Sequence, residues 1–146
     1  MVKKLVGGKI TGISRICNLI SIEISKSNEK IFLHIQSFFR ILKSDKIILS
    51  SEDIYKKGLV CNVDFFEWDV VGQSLFDEEL NKNREMLFAG KILRIKMESN
   101  GDLSIFFEYG LTLQIFIDTI NDEEKYRIFD QNNAFVVNGR DNIFYS

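Results

Sequence analysis

Proline is absent from this 146-residue chain, and histidine, tryptophan and cysteine are scarce: His34, Trp68, Cys17 and Cys61. Without proline no segment is barred from a β-ladder by a missing N–H. The two cysteines form no C-x-x-C pair, and with one histidine they cannot make a four-ligand zinc site without carboxylates. Both read as buried free thiols in a reducing compartment. No apolar run is long enough to span a membrane. The opening Met1-Val2-Lys3-Lys4-Leu5-Val6 starts like a signal peptide, but Gly7-Gly8-Lys9 ends its apolar run too early. The expectation is a cytoplasmic protein with no membrane segment. Missing too are a G-x-S-x-G elbow, a phosphate loop and a glycine-rich dinucleotide fingerprint. His34 would have to serve any nucleophile alone, and it sits in an alternating strand pattern on the face opposite Leu33 and Ile35. The expectation is a non-enzyme with no catalytic residue, no cofactor and no metal.

What is present is material for a β-rich core. Apolar residues make up 45% of the chain, with thirteen phenylalanines among them, enough to bury a core without staples. The richness in Ile, Lys, Asn and Phe points to an AT-rich, bacterial genome. Residues 8–16 read as a strand, with a bulge near Gly12 breaking the alternation. Ile20, Ile22 and Ile24 alternate, and so do Ile31, Leu33 and Ile35 across a polar turn, which predicts an antiparallel hairpin. Residues 37–42 fit a helical turn or an extended piece, and 46–50 a further strand. Residues 50–55 read as a helical turn capped by Ser51. Ser74 followed by Asp77, Glu78 and Glu79 predicts a short helix over 75–83.

The same order of signals then returns. Gly90-Lys91-Ile92-x-x-Ile95 repeats Gly8-Lys9-Ile10-x-x-Ile13. Ser99-Asn100-Gly101-Asp102 predicts a hairpin turn, because Asn-Gly accepts positive φ. Leu103, Ile105 and Phe107 match the second run, and Leu111, Leu113, Ile115 and Ile117 match the third, with Gln114 at the place of His34. Asn121-Asp122-Glu123-Glu124 reads as a cap and acidic first turn of a helix through Phe129, within which Tyr126-Arg127-Ile128 parallels Phe39-Arg40-Ile41. Residues 134–137 parallel 46–49, and Asn142-Ile143-Phe144-Tyr145 parallels Ile54-Tyr55. The fold class is therefore mostly β (α+β): two tandem pseudo-repeated antiparallel units of about four strands, sharing one core in a single domain. Unit one spans 8–55, a connector with a short helix 56–89, and unit two 90–146.

Charge is unevenly placed. Residues 1–60 carry eleven Lys/Arg against five Asp/Glu, and residues 61–146 carry eight against sixteen, so +6 and −8 make the net −2. If the halves pack face to face, one side is basic and the other acidic. With a pI near 5.5, and no recognition helix or stacking motif, nucleic acid is not an expected partner. The basic set Lys3, Lys4, Lys9, Arg15, Lys43, Lys46, Lys56 and Lys57 could still form a patch on unit one. Two acidic clusters, Asp77/Glu78/Glu79 and Asp122/Glu123/Glu124, sit where helix first turns belong. The third, Asp64/Glu67/Asp69, is interleaved with Phe65, Phe66 and Trp68, a mixture of the kind found at protein interfaces.

The repeated Gly-Lys-Ile start, the Leu-x-Ile alternations, Trp68…Gly72-x-Ser74-Leu75-Phe76-Asp77 and Asp122-Glu-Glu-x-Tyr-Arg-Ile-Phe129 together resemble small bacterial immunity proteins encoded beside polymorphic toxins. The resemblance implies a non-catalytic, cytoplasmic protein that binds and neutralises one cognate toxin, and it carries over no catalytic residue. The residues admit that role through an acidic, partly aromatic surface: Asp64, Glu67, Trp68, Asp69, Asp77, Glu78 and Glu79, with Asp122, Glu123 and Glu124. A structural or regulatory interaction module, or a small-ligand-binding β protein, stands as the alternative. The oligomeric state stays open.

Overall fold

The computed structural model describes residues 1–140 and the backbone of 143–145. The chain folds into two antiparallel sheets that share one hydrophobic core. A one-turn 3-10 helix, Val2–Leu5, precedes β1 (Lys9–Ile16), β2 (Leu19–Lys26), β3 (Glu29–Ile35), β4 (Phe39–Lys43) and β5 (Lys46–Ser50). A 3-10 turn (Ser51–Tyr55) leads into the connector, which ends in α1 (Leu75–Lys82) and α2 (Arg84–Ala89). Then come β6 (Ile92–Met97), β7 (Leu103–Phe107), β8 (Leu111–Ile115), β9 (Glu124–Phe129), β10 (Ala134–Asn138) and β11 (Ile143–Tyr145). One sheet has the order β1-β2-β3-β9-β10-β11 and the other β5-β4-β8-β7-β6.

The alternating sequence runs explain the strands. Ile20, Ile22, Ile24, Ile31, Leu33 and Ile35 are all buried, while their neighbours face outward. Each such side chain contributes about 1.5–3 kcal/mol on burial, so a one-residue slip would turn a whole row to water. The bulge expected near Gly12 is present, as a register shift between Ile10 and Gly12. The turn at Asn100-Gly101 is present as well, with Gly101 at φ +99° and Asn100 Oδ1 accepting the Asp102 N–H at 3.0 Å.

The sheets exchange strands between the two halves of the chain. The meander β1–β3 lies in one sheet and β4–β5 in the other; β6–β8 and β9–β10 do the converse. The exchange is sealed by β3 pairing with β9 and β8 pairing with β4. Swapping β1–β5 for β6–β10 maps the strand order onto itself. In this scheme His34 stands opposite Arg127 and Gln114 opposite Arg40. The equivalence concerns connectivity. It stops at the ends, because Ile54 lies in a 3-10 turn whereas Ile143–Tyr145 is a strand, and Asn142 lies outside the described residues. Each half supplies five strands before β11, rather than about four.

Several local expectations are corrected. Residues 121–129 do not form a helix; Glu124–Phe129 is β9. Tyr126 and Ile128 are two residues apart and both fully buried, a period that only a strand can point inward. A helix here would also leave the facing edges of β3 and β10 without partners. Asn121 still accepts the Glu123 N–H, as a turn rather than a helix cap. The 3-10 turn at 51–55 is capped by Ser50, which accepts the Glu52 N–H; Ser51 instead accepts the Phe39 N–H. Residues 39–43, open between two readings, are a strand. The short helix predicted over 75–83 is α1, one residue shorter, and α2 follows it directly. Cys17 is exposed and Cys61 half-buried, so neither is a buried thiol. Cys17 lies in the two-residue turn between Ile16 and Leu19, with positive φ, where no core is within reach. The halves do not separate into basic and acidic sides, because strand exchange mixes them. Lys4 pairs with Asp130 and Arg15 with Asp77, each at 2.7 Å across the two halves.

No helix among the described residues is long and apolar enough to cross a membrane.

Candidate functional site

The connector leaves the core at Tyr55 and returns at Ser74. Between them it forms no helix or strand, apart from one bridge pairing Lys57 with Ser74. Its shape is set by a buried ion pair. Arg15 on β1 and Asp77 on α1 meet in a two-pronged contact, Nε to Oδ1 and Nη2 to Oδ2, both at 2.7 Å. Both side chains are almost wholly buried. The guanidinium donates further to the carbonyls of Cys17 (2.8 Å) and Val70 (3.2 Å) and to Ser74 Oγ (3.2 Å). Asp77 Oδ2 also accepts the N–H groups of Gly72 and Ser74. Burial works against the charge of Asp77, but Arg15 and these two N–H groups outweigh it and hold the carboxyl below its ordinary range. A buried pair with every polar atom satisfied is costly to break. It therefore pins both the β1–β2 turn and the far end of the connector.

The near end is held from α1. Glu78 Oε1 accepts the Val60 N–H at 2.7 Å, Gly58 N–H donates to the Gln73 carbonyl and Leu75 N–H to that of Lys56. Glu78 Oε2 packs over Gly58, at a place where any Cβ would collide with it. In the middle, Glu67 N–H donates to Gln73 Oε1 and Val70 N–H to the Glu67 carbonyl. The Trp68 ring lies 5.1 Å from that of Tyr55, whose hydroxyl takes a hydrogen bond from Asn18.

The segment so fixed turns apolar side chains to solvent. Leu59 is 86% exposed, Val60 84%, Phe65 86% and Val71 61%. Val70 and Trp68 are partly open, and Ile16, beside Arg15, is 75% exposed. Asp64, Glu67 and Asp69 are exposed among them, and residues 58–81 contain no lysine or arginine. These apolar side chains stand in solvent on a backbone fixed by hydrogen bonds, with acidic side chains between them along the chain.

Of the ten residues expected to contact a partner, four share this surface: Asp64, Glu67, Trp68 and Asp69. Asp77 does not, because Arg15 takes it into the interior; for the same reason Arg15 leaves the basic patch. Glu78 is half-buried and engaged with Val60. Glu79 is half-buried with an oxygen 3.3 Å from Asn83 Nδ2. Asp122 and Glu123 are exposed before β9, and Glu124 is paired with Arg127 at 2.5 Å and with Gln36 at 3.2 Å. His34 is half-buried on the outer face of β3, edge-on to Phe129 at 4.8 Å. Burial, then the charge of Arg127, lowers its pKa below the ordinary histidine value.

Sequence reasoning missed the unburied pairs Leu59-Val60 and Val70-Val71. Their signal was an apolar pair without strand or helix period, each next to a glycine (Gly58, Gly72). It also missed a small polar cleft beside Tyr55, lined by residues from four separate stretches: Asn18, Gln36–Phe38, the 3-10 turn residues Ser51, Glu52, Ile54 and Tyr55, and Asp118. Comparison with known proteins found no matching family model, no matching curated protein and no matching solved structure.

Proposed function

We propose that this chain is a non-catalytic protein-binding module that presents residues 56–74 to a partner, and that the partner is a bacterial toxin which it neutralises in the cytoplasm. The observation that carries the binding surface is the exposure of Leu59, Val60, Phe65 and Val71 on a segment held by the buried Arg15–Asp77 pair. An ordered apolar surface loses little conformational entropy on binding, so more of its contact energy appears as affinity. The acidic rim of Asp64, Glu67 and Asp69 favours a basic partner and steers its approach. The toxin reading adds the resemblance to immunity proteins in Trp68…Asp77 and Asp122–Phe129.

The test is co-expression with the product of the adjacent open reading frame, scored by growth rescue and by measured affinity. Trp68→Ala, and the double reversal Glu67→Lys with Asp69→Lys, should each weaken binding about tenfold or more while unfolding curves stay in place. Wild-type affinity in both variants would remove this surface. Failure of the wild-type chain to bind or protect would remove the toxin.

A second cleft, of about 420 Å³, lies among Lys4, Glu29, Phe32 and Asp130. Its charged lining is already paired, Lys4 with Asp130 at 2.7 Å and with Glu29 at 3.0 Å. That pairing favours the protein-binding reading over the small-ligand one.

A further inference from the structure

The five-stranded sheet carries a charge that the whole-chain balance hides. Strands β4 to β8 hold five Lys or Arg (Arg40, Lys43, Lys46, Arg94 and Lys96) and no Asp or Glu. In the six-stranded sheet, by contrast, Glu23, Glu29 and Glu124 stand among the cations. The net charge of −2 and the acidic pI average over this difference, so they do not describe what a ligand meets at one sheet face.

Core packing decides what that face shows. Ile41, Leu113 and Ile105 are buried, so the residues alternating with them point outward. The ladder sets these in rows. Arg40, Gln114, Ser104 and Lys96 stand side by side across β4, β8, β7 and β6. Leu42, Thr112, Phe106 and Arg94 form the next row. Phe38 and Phe116 form a third, their rings 5.5 Å apart. Arg94 lies over the Phe106 ring at 3.8 Å, and Arg40 over that of Phe116 at 5.3 Å. Arg40 also donates its Nε to Gln114 at 2.8 Å. Neither guanidinium has a carboxylate partner among the described residues. The carboxylates at the margin are already engaged. Glu98 pairs with Lys96 at 2.9 Å in the open, and Asp118 pairs with Lys125 and accepts the Phe38 N–H.

A guanidinium stacked on an aromatic ring presents a flat cationic plane with N–H donors at its rim. Bases stack on such planes and on the rings beneath, while phosphate oxygens take the N–H groups. Ser104, Thr112 and Gln114, between the two arginines, offer hydrogen bonds to base edges. The rows are about 7 Å apart and the distance from β4 to β6 is about 14 Å, room for two or three nucleotides laid across the strands. A duplex calls for an element that enters a groove, which this strand face lacks. An acidic peptide would use the cations and leave the ring planes idle. We propose that the outer face of this sheet binds single-stranded nucleic acid, with Arg94–Phe106 and Arg40–Phe116 as stacking positions and Lys96 as a phosphate contact. This is a second function, resting on none of the connector residues.

The test is fluorescence anisotropy of a labelled oligouridylate of about twelve nucleotides, titrated with the intact chain. The dissociation constant is expected between about 1 and 100 µM near physiological salt. Affinity should fall with salt at a logarithmic slope of about −2, from three phosphate contacts at about 0.7 each. Arg94→Glu should weaken binding about tenfold or more and flatten the slope. Phe106→Leu should weaken it about tenfold with the slope unchanged, since it removes a ring and no charge. Arg94 and Lys96 are exposed, so Arg94→Glu and Lys96→Gln carry the test if Phe106→Leu does not fold; Lys96→Gln should reduce the slope by about 0.7. No saturation by about 1 mM protein, equal competition by polyglutamate, tighter binding of the same strand paired with its complement, or unchanged affinity in Arg94→Glu would overturn the proposal.

Discussion

At the scale of the residue, the decisive contact is Arg15 with Asp77. The same residue type behaves in opposite ways a few positions apart. Asp64 and Asp69 are exposed, and Asp77 is buried because Arg15 and two N–H groups meet it. Asp77→Ala would strand a buried guanidinium, at a cost of about 3–5 kcal/mol in urea unfolding. Arg15→Met combined with Asp77→Leu should recover most of that loss, since paired apolar replacement removes both desolvation costs. The pH dependence has a definite sign. The folded-state pKa of Asp77 is lowered, so its contribution is full above the ordinary aspartate value and is lost as pH falls through the folded value. Asp130, held at about 2 by Lys4 and by the N–H groups of Asn132 and Asn133, adds a loss of the same sign at the same end. Acid unfolding of Asp77→Asn at lower stability but with a flatter dependence on pH below the ordinary aspartate range is the expected result. A second residue-scale test is Tyr126, whose buried hydroxyl donates to the Gly101 carbonyl at 2.8 Å. Tyr126→Phe should cost about 1–2 kcal/mol by leaving that carbonyl unpaired.

At the scale of the element, two turns carry close approaches that a side chain would spoil. Gly101 has φ +99°, and a Cβ there would come 2.9 Å from Val137 Cγ1 on β10. Gly101→Ala should therefore lower stability by more than about 1 kcal/mol and shift the melting temperature down by several degrees. Gly58→Ala acts differently. It pushes Glu78 away from the Val60 N–H and should loosen the loop that presents Leu59 and Val60. Faster amide exchange at residues 58–61, with β-strand protection unchanged, is the expected signature. Element type was legible wherever the period was clean. Ile20, Ile22 and Ile24 could only be a half-buried strand, and Ser74 with Asp77 could be read as a helix start because the side chain of Asp77 does return to the Ser74 N–H. It was not legible at 121–129. Asn121 and three acids imitate a capped first turn, and the strand period there amounts to two residues, Tyr126 and Ile128. Pairing with β3 and β10, from opposite ends of the chain, decided that segment.

At the scale of the whole molecule, neither half is complete. The outer edge of β3 is covered by β9, and that of β4 by β8. A fragment of residues 1–55 would expose both edges, along with half of a shared core. Fragment 1–89, which keeps Asp77 for Arg15 and Phe76, Leu80 and Leu87 for the shared core, and fragment 90–146 should each be unfolded alone by circular dichroism, and β structure should appear on mixing. An independently folded fragment would show that the exchange is not needed. The same arrangement explains why the charge asymmetry of the sequence does not become two faces. The strands are dealt to both sheets, and Lys4–Asp130 and Arg15–Asp77 pair a cation of the first half with an acid of the second.

The residues by themselves determined that the chain is mostly β, where most strands lie, and that the acidic-aromatic connector stands outside the core pattern. These are local properties, because a two-residue period and a turn motif act within a few residues of chain. Only the tertiary structure decided which strands are neighbours, that β9 is a strand, that Asp77 is inside and Asp64 outside, and that Asn18, Ser37, Glu52, Tyr55 and Asp118 meet around one cleft. Each of these depends on what a distant stretch places alongside, and no local pattern contains that.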